Sequence, residues 1–151
     1  MHLPDEAATS ALGARLARVI EPGLSLYLHG DLGSGKTTLA RGLLRGLGYQ
    51  GRVKSPTYAL VELYTISRLN LYHFDFYRFH EPKEWRDAGL DEYFNDASVC
   101  VVEWPEKAAG LLPVADLDIT LGFALGGRDL SVRAGTESGK ACLHLLMQMP
   151  L

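Results

Sequence analysis

Apolar residues at Ala8, Leu12, Leu16, Val19 and Ile20 recur at helical spacing between Asp5 and Ile20. They predict an amphipathic helix with Asp5 as its N-cap. Pro22-Gly23 ends it. Leu24 to Leu28 predicts a short buried strand, Gly30 to Gly35 a glycine-rich turn, and Lys36 to Leu47 a helix closed by Gly48 as its C-cap. A β-rich stretch follows. Tyr58 to Ile66 and Leu69 to Phe76 predict two strands joined tightly through Ser67-Arg68. The polar stretch Glu81 to Phe94 predicts one or two short helices. Val99 to Val102, β-branched apart from Cys100, predicts a buried central strand. Ile119, Leu121 and Phe123 alternate with Thr120 and Gly122, and Leu130 and Val132 with Ser131 and Arg133; Gly126-Gly127 between them predicts a hairpin. Lys140 to Met149 predicts a closing apolar helix. A βαβ-like start, an antiparallel insertion and one more core strand together predict an α/β fold: three layers around a mixed, partly antiparallel sheet.

Composition narrows this picture. A chain of 151 residues predicts a single domain over 1–151. At 47% hydrophobic and 22% charged it is ordinary for a globular protein. A net charge of −3 argues against a broad electrostatic grip on nucleic acid. The two cysteines, Cys100 and Cys142, lie in apolar surroundings and predict buried thiols. No Cys/His spacing suggests zinc. Asp5 and Glu6 near the start do not fit a secretory signal, and no apolar run approaches the ~20 residues of a membrane helix. A cytoplasmic location without a membrane partner is the expectation.

The chemistry concentrates in Gly30-Asp31-Leu32-Gly33-Ser34-Gly35-Lys36-Thr37, which fits G-x-x-x-x-G-K-[ST] at every required position. Glycines let backbone N–H groups point at phosphate oxygens, and the helix that follows adds its positive dipole end. Lys36 supplies a point charge for the outer phosphates, and the Thr37 hydroxyl suits Mg²⁺. The preceding strand and following helix make this a P-loop NTPase-like domain, with ATP the expected substrate. Glu103, directly after the apolar run 99–102, stands where α/β sheets place ligand-binding groups and fits an acid of the Mg²⁺ shell. In Tyr72-His73-Phe74-Asp75-Phe76-Tyr77-Arg78, strand alternation puts His73, Asp75 and Tyr77 on one face. Asp75 could there serve the metal shell, orient water, or act as a structural hydrogen-bond hub. Thr57, after Pro56, fits either a switch hydroxyl or a turn entering a strand. Trp104 follows Glu103 and fits packing near the site. Trp85 fits a partner contact or a half-buried anchor, and His29 a structural role.

Taken together, Gly30 to Thr38, Val53-Lys54-Ser55-Pro56-Thr57-Tyr58, His73 to Arg78 and Val102-Glu103-Trp104-Pro105-Glu106 resemble the TsaE family. These are the small bacterial ATPases of tRNA threonylcarbamoyladenosine synthesis. Pro4 to Thr9 and Leu12-Gly13 resemble the family's opening; the chain from Leu117 onward resembles it more weakly. The resemblance implies ATP binding and slow hydrolysis to ADP, with Mg²⁺. It implies work with a two-subunit threonylcarbamoyl-transfer complex, which performs the transfer; the net acidity of the chain leaves most of any tRNA contact to that complex. It further implies Thr37 and Glu103 in the magnesium shell, Asp75 as the second functional acid and Thr57 as a switch threonine. Asp31, Leu32, Gly33, Ser34, Gly35, Lys36, Thr37 and Thr38 would bind the nucleotide's phosphates, with Glu6 and Gly127 near the adenine.

Three other classes share the loop. A small-molecule kinase would need arginines on a lid, whereas Arg68, Arg78, Arg86, Arg128 and Arg133 are scattered along the chain. A binding module would hold ATP without turnover. A GTPase would carry Asn-Lys-x-Asp, which is absent from the sequence.

Overall fold

The structure is a computed structural model that describes residues 1–66 and 68–150. Among these residues, seven strands form one sheet: β1 (His2–Leu3), β2 (Ser25–His29), β3 (Val61–Ile66), β4 (Leu69–Asp75), β5 (Ser98–Glu103), β6 (Leu117–Ala124) and β7 (Gly127–Ala134). Their spatial order is β1-β7-β6-β2-β5-β4-β3. β6, β2, β5 and β4 run parallel, and antiparallel strands flank them on both sides.

Among the described residues, four α-helices accompany the sheet: α1 (Glu6–Ala17), α2 (Lys36–Gly46), α3 (Glu84–Asp87) and α4 (Glu137–Gln148), with 3₁₀ turns at Leu90–Tyr93 and Pro105–Ala108. α1, α2 and α4 pack on one face over Leu26, Leu28, Leu71, Val99, Val101, Leu117 and Ile119. The opposite face carries an aromatic cluster of Phe74, Phe76, Phe79 and Trp85, covered by short helical turns. The α/β expectation of three layers around a mixed sheet therefore holds, with a thin third layer. No helix among the described residues is long and apolar enough to cross a membrane.

Local sequence explains most boundaries. The Asp5 side chain accepts from the Ala8 N–H at 2.8 Å and caps α1. α2 ends in a Schellman closure: Gly48, at φ 98°, donates to the Arg45 carbonyl while Tyr49 donates to that of Leu44. α4 starts three residues earlier than its apolar periodicity suggests, because the Thr136 hydroxyl accepts from the Gly139 N–H. Both cysteines are buried and free, and burial pushes the thiols up to about 12 for Cys100 and about 11 for Cys142.

Three expectations need correction. The "insertion" is not a separate antiparallel unit: β4 pairs parallel with β5 and so belongs to the core. β3 begins at Val61 rather than Tyr58, because Leu60 takes the left-handed conformation (φ 69°) and breaks the pleat. β4 stops at Asp75, so the alternation does not extend to Tyr77, whose backbone instead donates to Asp75. The predicted Ser67-Arg68 connection includes Ser67, which lies outside the described residues.

α1 and α2 pack against one another, and Gly13 on α1, with Gly42 and Gly46 on α2, permits the close approach. A Cβ at Gly13 would fall 2.5 Å from the Leu39 carbonyl oxygen and 2.6 Å from the Leu43 nitrogen, both backbone atoms. Gly13→Ala must therefore force α1 away from the helix that carries Lys36. The expected destabilisation is about 1–3 kcal/mol, read from the midpoint of urea unfolding.

Candidate functional site

The loop between β2 and α2 is shaped by glycine. Gly30 (φ 146°), Gly33 (φ 78°) and Gly35 (φ 108°) all occupy the positive-φ region. Gly30 is also hemmed in: a Cβ there would meet the Leu121 carbonyl at 2.5 Å and Ser34 Oγ at 2.6 Å. The loop ends on the first turn of α2, whose free N–H groups and dipole face the same space.

Lys36 is buried at 5% exposure, and its ammonium donates to the Gly30 carbonyl and lies 3.7 Å above the Trp104 ring. Burial lowers its pKa, while the carboxylates of Glu103, Glu106 and Asp75 oppose that shift. Trp104 itself is held at φ 59°, an uncommon conformation for a bulky residue. That conformation starts the 3₁₀ turn directly after β5.

Two acids stand side by side because the sheet is parallel at this point. Asp75 and Glu103 are register partners at the ends of β4 and β5, and both are buried at 4% exposure. The Thr37 hydroxyl is 3.2 and 3.5 Å from the two Glu103 oxygens. The Thr57 hydroxyl donates to Asp75 Oδ2 at 3.1 Å, and the Tyr77 N–H donates to Oδ1 at 2.8 Å. Ser55 Oγ lies 2.8 Å from Thr57 Oγ1. Burial raises the pKa of Asp75; the Tyr77 N–H opposes the rise and the charge of Glu103 adds to it.

These groups open onto one cleft of about 450 Å³. Its floor is the loop from Leu32 through Thr38, and its acidic wall is Asp75 and Glu103 with Thr57 beside them. The far wall is Glu6 and Gly127, the latter packed so closely on β1 that a Cβ would fall 2.1 Å from the Leu3 carbonyl. Of the sequence-predicted residues, Asp31 alone is not in the lining; it is exposed, and its carbonyl accepts from the Ser34 N–H. A hydroxyl (Thr37) converging with a carboxylate (Glu103) is an all-oxygen set suited to Mg²⁺, which uses one or two protein ligands and fills its shell with water and phosphate. Among the described residues, no group of three or more His, Cys, Asp or Glu side chains forms a self-sufficient metal cage.

The model of the family described as "Threonylcarbamoyl adenosine biosynthesis protein TsaE" matches residues 3–128. The chain belongs to the TsaE family. It is 44% identical over 144 residues to the tRNA threonylcarbamoyladenosine biosynthesis protein TsaE of Haemophilus influenzae, covering 92% of this chain and 91% of that one. It is 42% identical over 118 residues to the protein of the same name from Bacillus subtilis, covering 78% and 72%. The crystal structure of YdiB from Bacillus subtilis superposes with a TM-score of 0.82 at 32% identity, covering 95% of this chain and 90% of that one. The match extends into the β6–β7 hairpin, where this TsaE sequence resembles the family more weakly by motif.

Several site features escaped the sequence. Arg128 is one: the hairpin folds its guanidinium onto the cleft rim, where it donates to the Gly33 carbonyl at 3.1 Å and lies 4.5 Å from the Phe123 ring centre. Scatter along the chain hid this, since the turn at Gly126-Gly127 is the one local cue. Leu3 and Thr9 also line the cleft, and two-residue β1 carries no periodicity to find. Trp85 is neither exposed nor half-buried; at 2% exposure it packs edge-on against Phe94 in the core. The His29 ring bridges Asp118 at 2.7 Å and Glu106 at 3.5 Å, and that pairing raises its pKa.

Proposed function

We propose that this protein binds and hydrolyses ATP within tRNA N6-threonylcarbamoyladenosine modification. In this role it acts in the cytoplasm with a two-subunit threonylcarbamoyl-transfer complex and does not itself transfer the group. One observation carries the ATPase reading. The loop and helix start that suit phosphates, the Thr37 hydroxyl, and the paired acids Asp75 and Glu103 all face a single cleft. The name shared by the Haemophilus influenzae and Bacillus subtilis relatives supports the pathway.

In this reading the backbone N–H groups from Gly33 to Thr38 hold the phosphates. Lys36 neutralises the outer ones, and Glu6 and Gly127 bound the adenine end. Thr37 and Glu103, with Asp75 nearby, would hold Mg²⁺. When bound, the ion neutralises charge on the β- and γ-phosphate oxygens. Asp75, fixed through Oδ1 by the Tyr77 N–H, accepts a hydrogen bond from the attacking water, and Thr57 reports the γ-phosphate to the loop 55–58. A raised pKa suits Asp75 to that task better than a fully solvated carboxylate. Among the described residues, no arginine other than Arg128 lines the cleft, and Arg128 is committed to the Gly33 carbonyl. Turnover is therefore slow alone and rises when a partner surface completes the site, since such completing groups are worth about 10³-fold or more. A net charge of −3 leaves tRNA contact mainly to the partner complex.

The test is a reconstituted reaction with the transfer complex, threonylcarbamoyl-adenylate, tRNA and ATP. Modified tRNA is expected to accumulate beyond one equivalent of the transfer complex with this protein present, and to stop near one without it. Equal accumulation in both reactions would remove the pathway assignment and leave a P-loop protein to be screened as a small-molecule kinase.

A further inference from the structure

His73 sits in the middle of β4 with no solvent exposure, on the sheet face that otherwise presents Leu71, Val99 and Val101 to the helices. An apolar side chain would pack there without any desolvation penalty. The imidazole instead leaves Nδ1 buried with no partner and makes one side-chain hydrogen bond, from Nε2 to Glu103 Oε2 at 2.6 Å. The register explains the reach. His73 pairs with Val101 and Asp75 with Glu103, so His73 meets Glu103 on the diagonal of adjacent parallel strands.

We infer that His73 is a positioning residue for Glu103, holding the carboxylate in the rotamer that faces Thr37. This rests on the reading of Glu103 as a magnesium-shell acid. The carboxylate accepts, so Nε2 carries the proton. Oε2 is 3.2 Å from the Thr37 hydroxyl as well, so the hydrogen bond from His73 and the approach of Thr37 converge on one atom. Oε1, bonded neither to His73 nor to backbone, remains for an incoming ligand or its water shell. Without the imidazole, the Thr37 hydroxyl is the one side-chain partner left to Glu103 among the described residues, and that hydroxyl belongs to the same metal shell. The fold thus supplies a fixed donor from β4, independent of what occupies the cleft, that keeps the acid oriented beforehand. Partners of this kind typically change metal affinity or activity by about 10–100-fold when removed.

Two variants separate positioning from packing. His73→Leu fills the space and deletes the donor; His73→Gln replaces the ring with an amide N–H that reaches the same carboxylate oxygen. The readouts are the affinity for a fluorescent ADP analogue with and without Mg²⁺, the Mg²⁺ midpoint of ATP turnover, and the thermal midpoint. In His73→Leu, affinity without Mg²⁺ is expected to stay within about twofold of wild type. The Mg²⁺ midpoint is expected to rise by about 10–100-fold, with the thermal midpoint unchanged or higher; His73→Gln is expected to recover most of the loss. Loss of Mg²⁺-free affinity and thermal midpoint together in both variants would make His73 a packing residue and overturn the inference. So would an unaltered Mg²⁺ response in His73→Leu. A wild-type protein whose nucleotide affinity ignores Mg²⁺ would overturn the reading of the site itself, whatever the variants do. If His73→Leu does not fold, the wild type still decides: the ¹⁵N signal of His73 Nε2 must shift when Mg²⁺ is added to the ADP-bound protein, and a static signal would overturn the inference.

Discussion

Lys36→Met is expected to reduce ATP turnover by about 10²–10³-fold or more while leaving the protein folded and at least as stable. The two halves of that expectation come from the same geometry. The Lys36 ammonium is buried, held by the Gly30 carbonyl and the Trp104 ring, with its pKa lowered by burial. A lysine whose folded pKa lies below its unfolded value subtracts from stability wherever it is charged, including neutral pH. Methionine keeps an unbranched apolar side chain at this buried position and removes that penalty. It also removes the cation that, in the proposed reading, neutralises the outer phosphates. The check is a pair of thermal-midpoint measurements with and without Mg²⁺-ADP. Wild type at about a hundred times its Kd gains roughly 3 kcal/mol from ligand binding, a rise of about 5–10 °C for a chain of this size. The variant is expected to start at the same midpoint or higher and to lose most of that rise. A variant that starts several degrees lower would show that the lysine's contacts with Gly30 and Trp104 outweigh its burial.

Local signals made the scaffold legible. The phosphate loop needs glycine at fixed places for positive φ, so its spacing survives in the sequence, and the helix after it announces its end through Gly48. Val99 to Val102 reads as a central strand because a strand buried on both faces has no polar alternation. Strand pairing is different. Nothing local distinguishes β4 as a parallel partner of β5 from β4 as half of an isolated hairpin; that choice is made by long-range contacts. Yet the pairing is what sets Asp75 beside Glu103 and His73 beneath it. The individual acids were therefore legible, and their relation to one another was not. Arg128 was hidden for the same reason, since its place at the loop depends on β7 folding back across β6 and on β1 pinning the hairpin turn.

The relation between those acids leads to the second large effect. Asp75→Asn is expected to lower turnover by about 10²–10⁴-fold while raising the stability of the folded chain at neutral pH. Burial raises the pKa of Asp75 above its ordinary 3.8, with the neighbouring charge of Glu103 adding to the rise and the Tyr77 N–H opposing it. For a carboxyl with a raised folded pKa the linkage runs opposite to that of a salt-bridged acid. Ionised Asp75 subtracts from stability at all pH above its folded pKa. That deficit disappears as pH falls through the folded pKa towards the unfolded one. Asparagine keeps the oxygen that accepts from the Tyr77 N–H, and its amide can donate to the Thr57 hydroxyl, so neither contact need be lost. The stability gap between variant and wild type should therefore be largest near neutral pH and close at low pH. Over the same range wild-type turnover should fall, because a protonated Asp75 loses the negative charge that makes it a strong acceptor for the water and turns one oxygen into a donor. Urea unfolding of both proteins across that pH range, beside phosphate release by the wild type, measures the two trends together. A gap that is flat with pH would show that the charge on Asp75 is not what the fold resists. Turnover retained in Asp75→Asn would move the water-orienting role to Glu103.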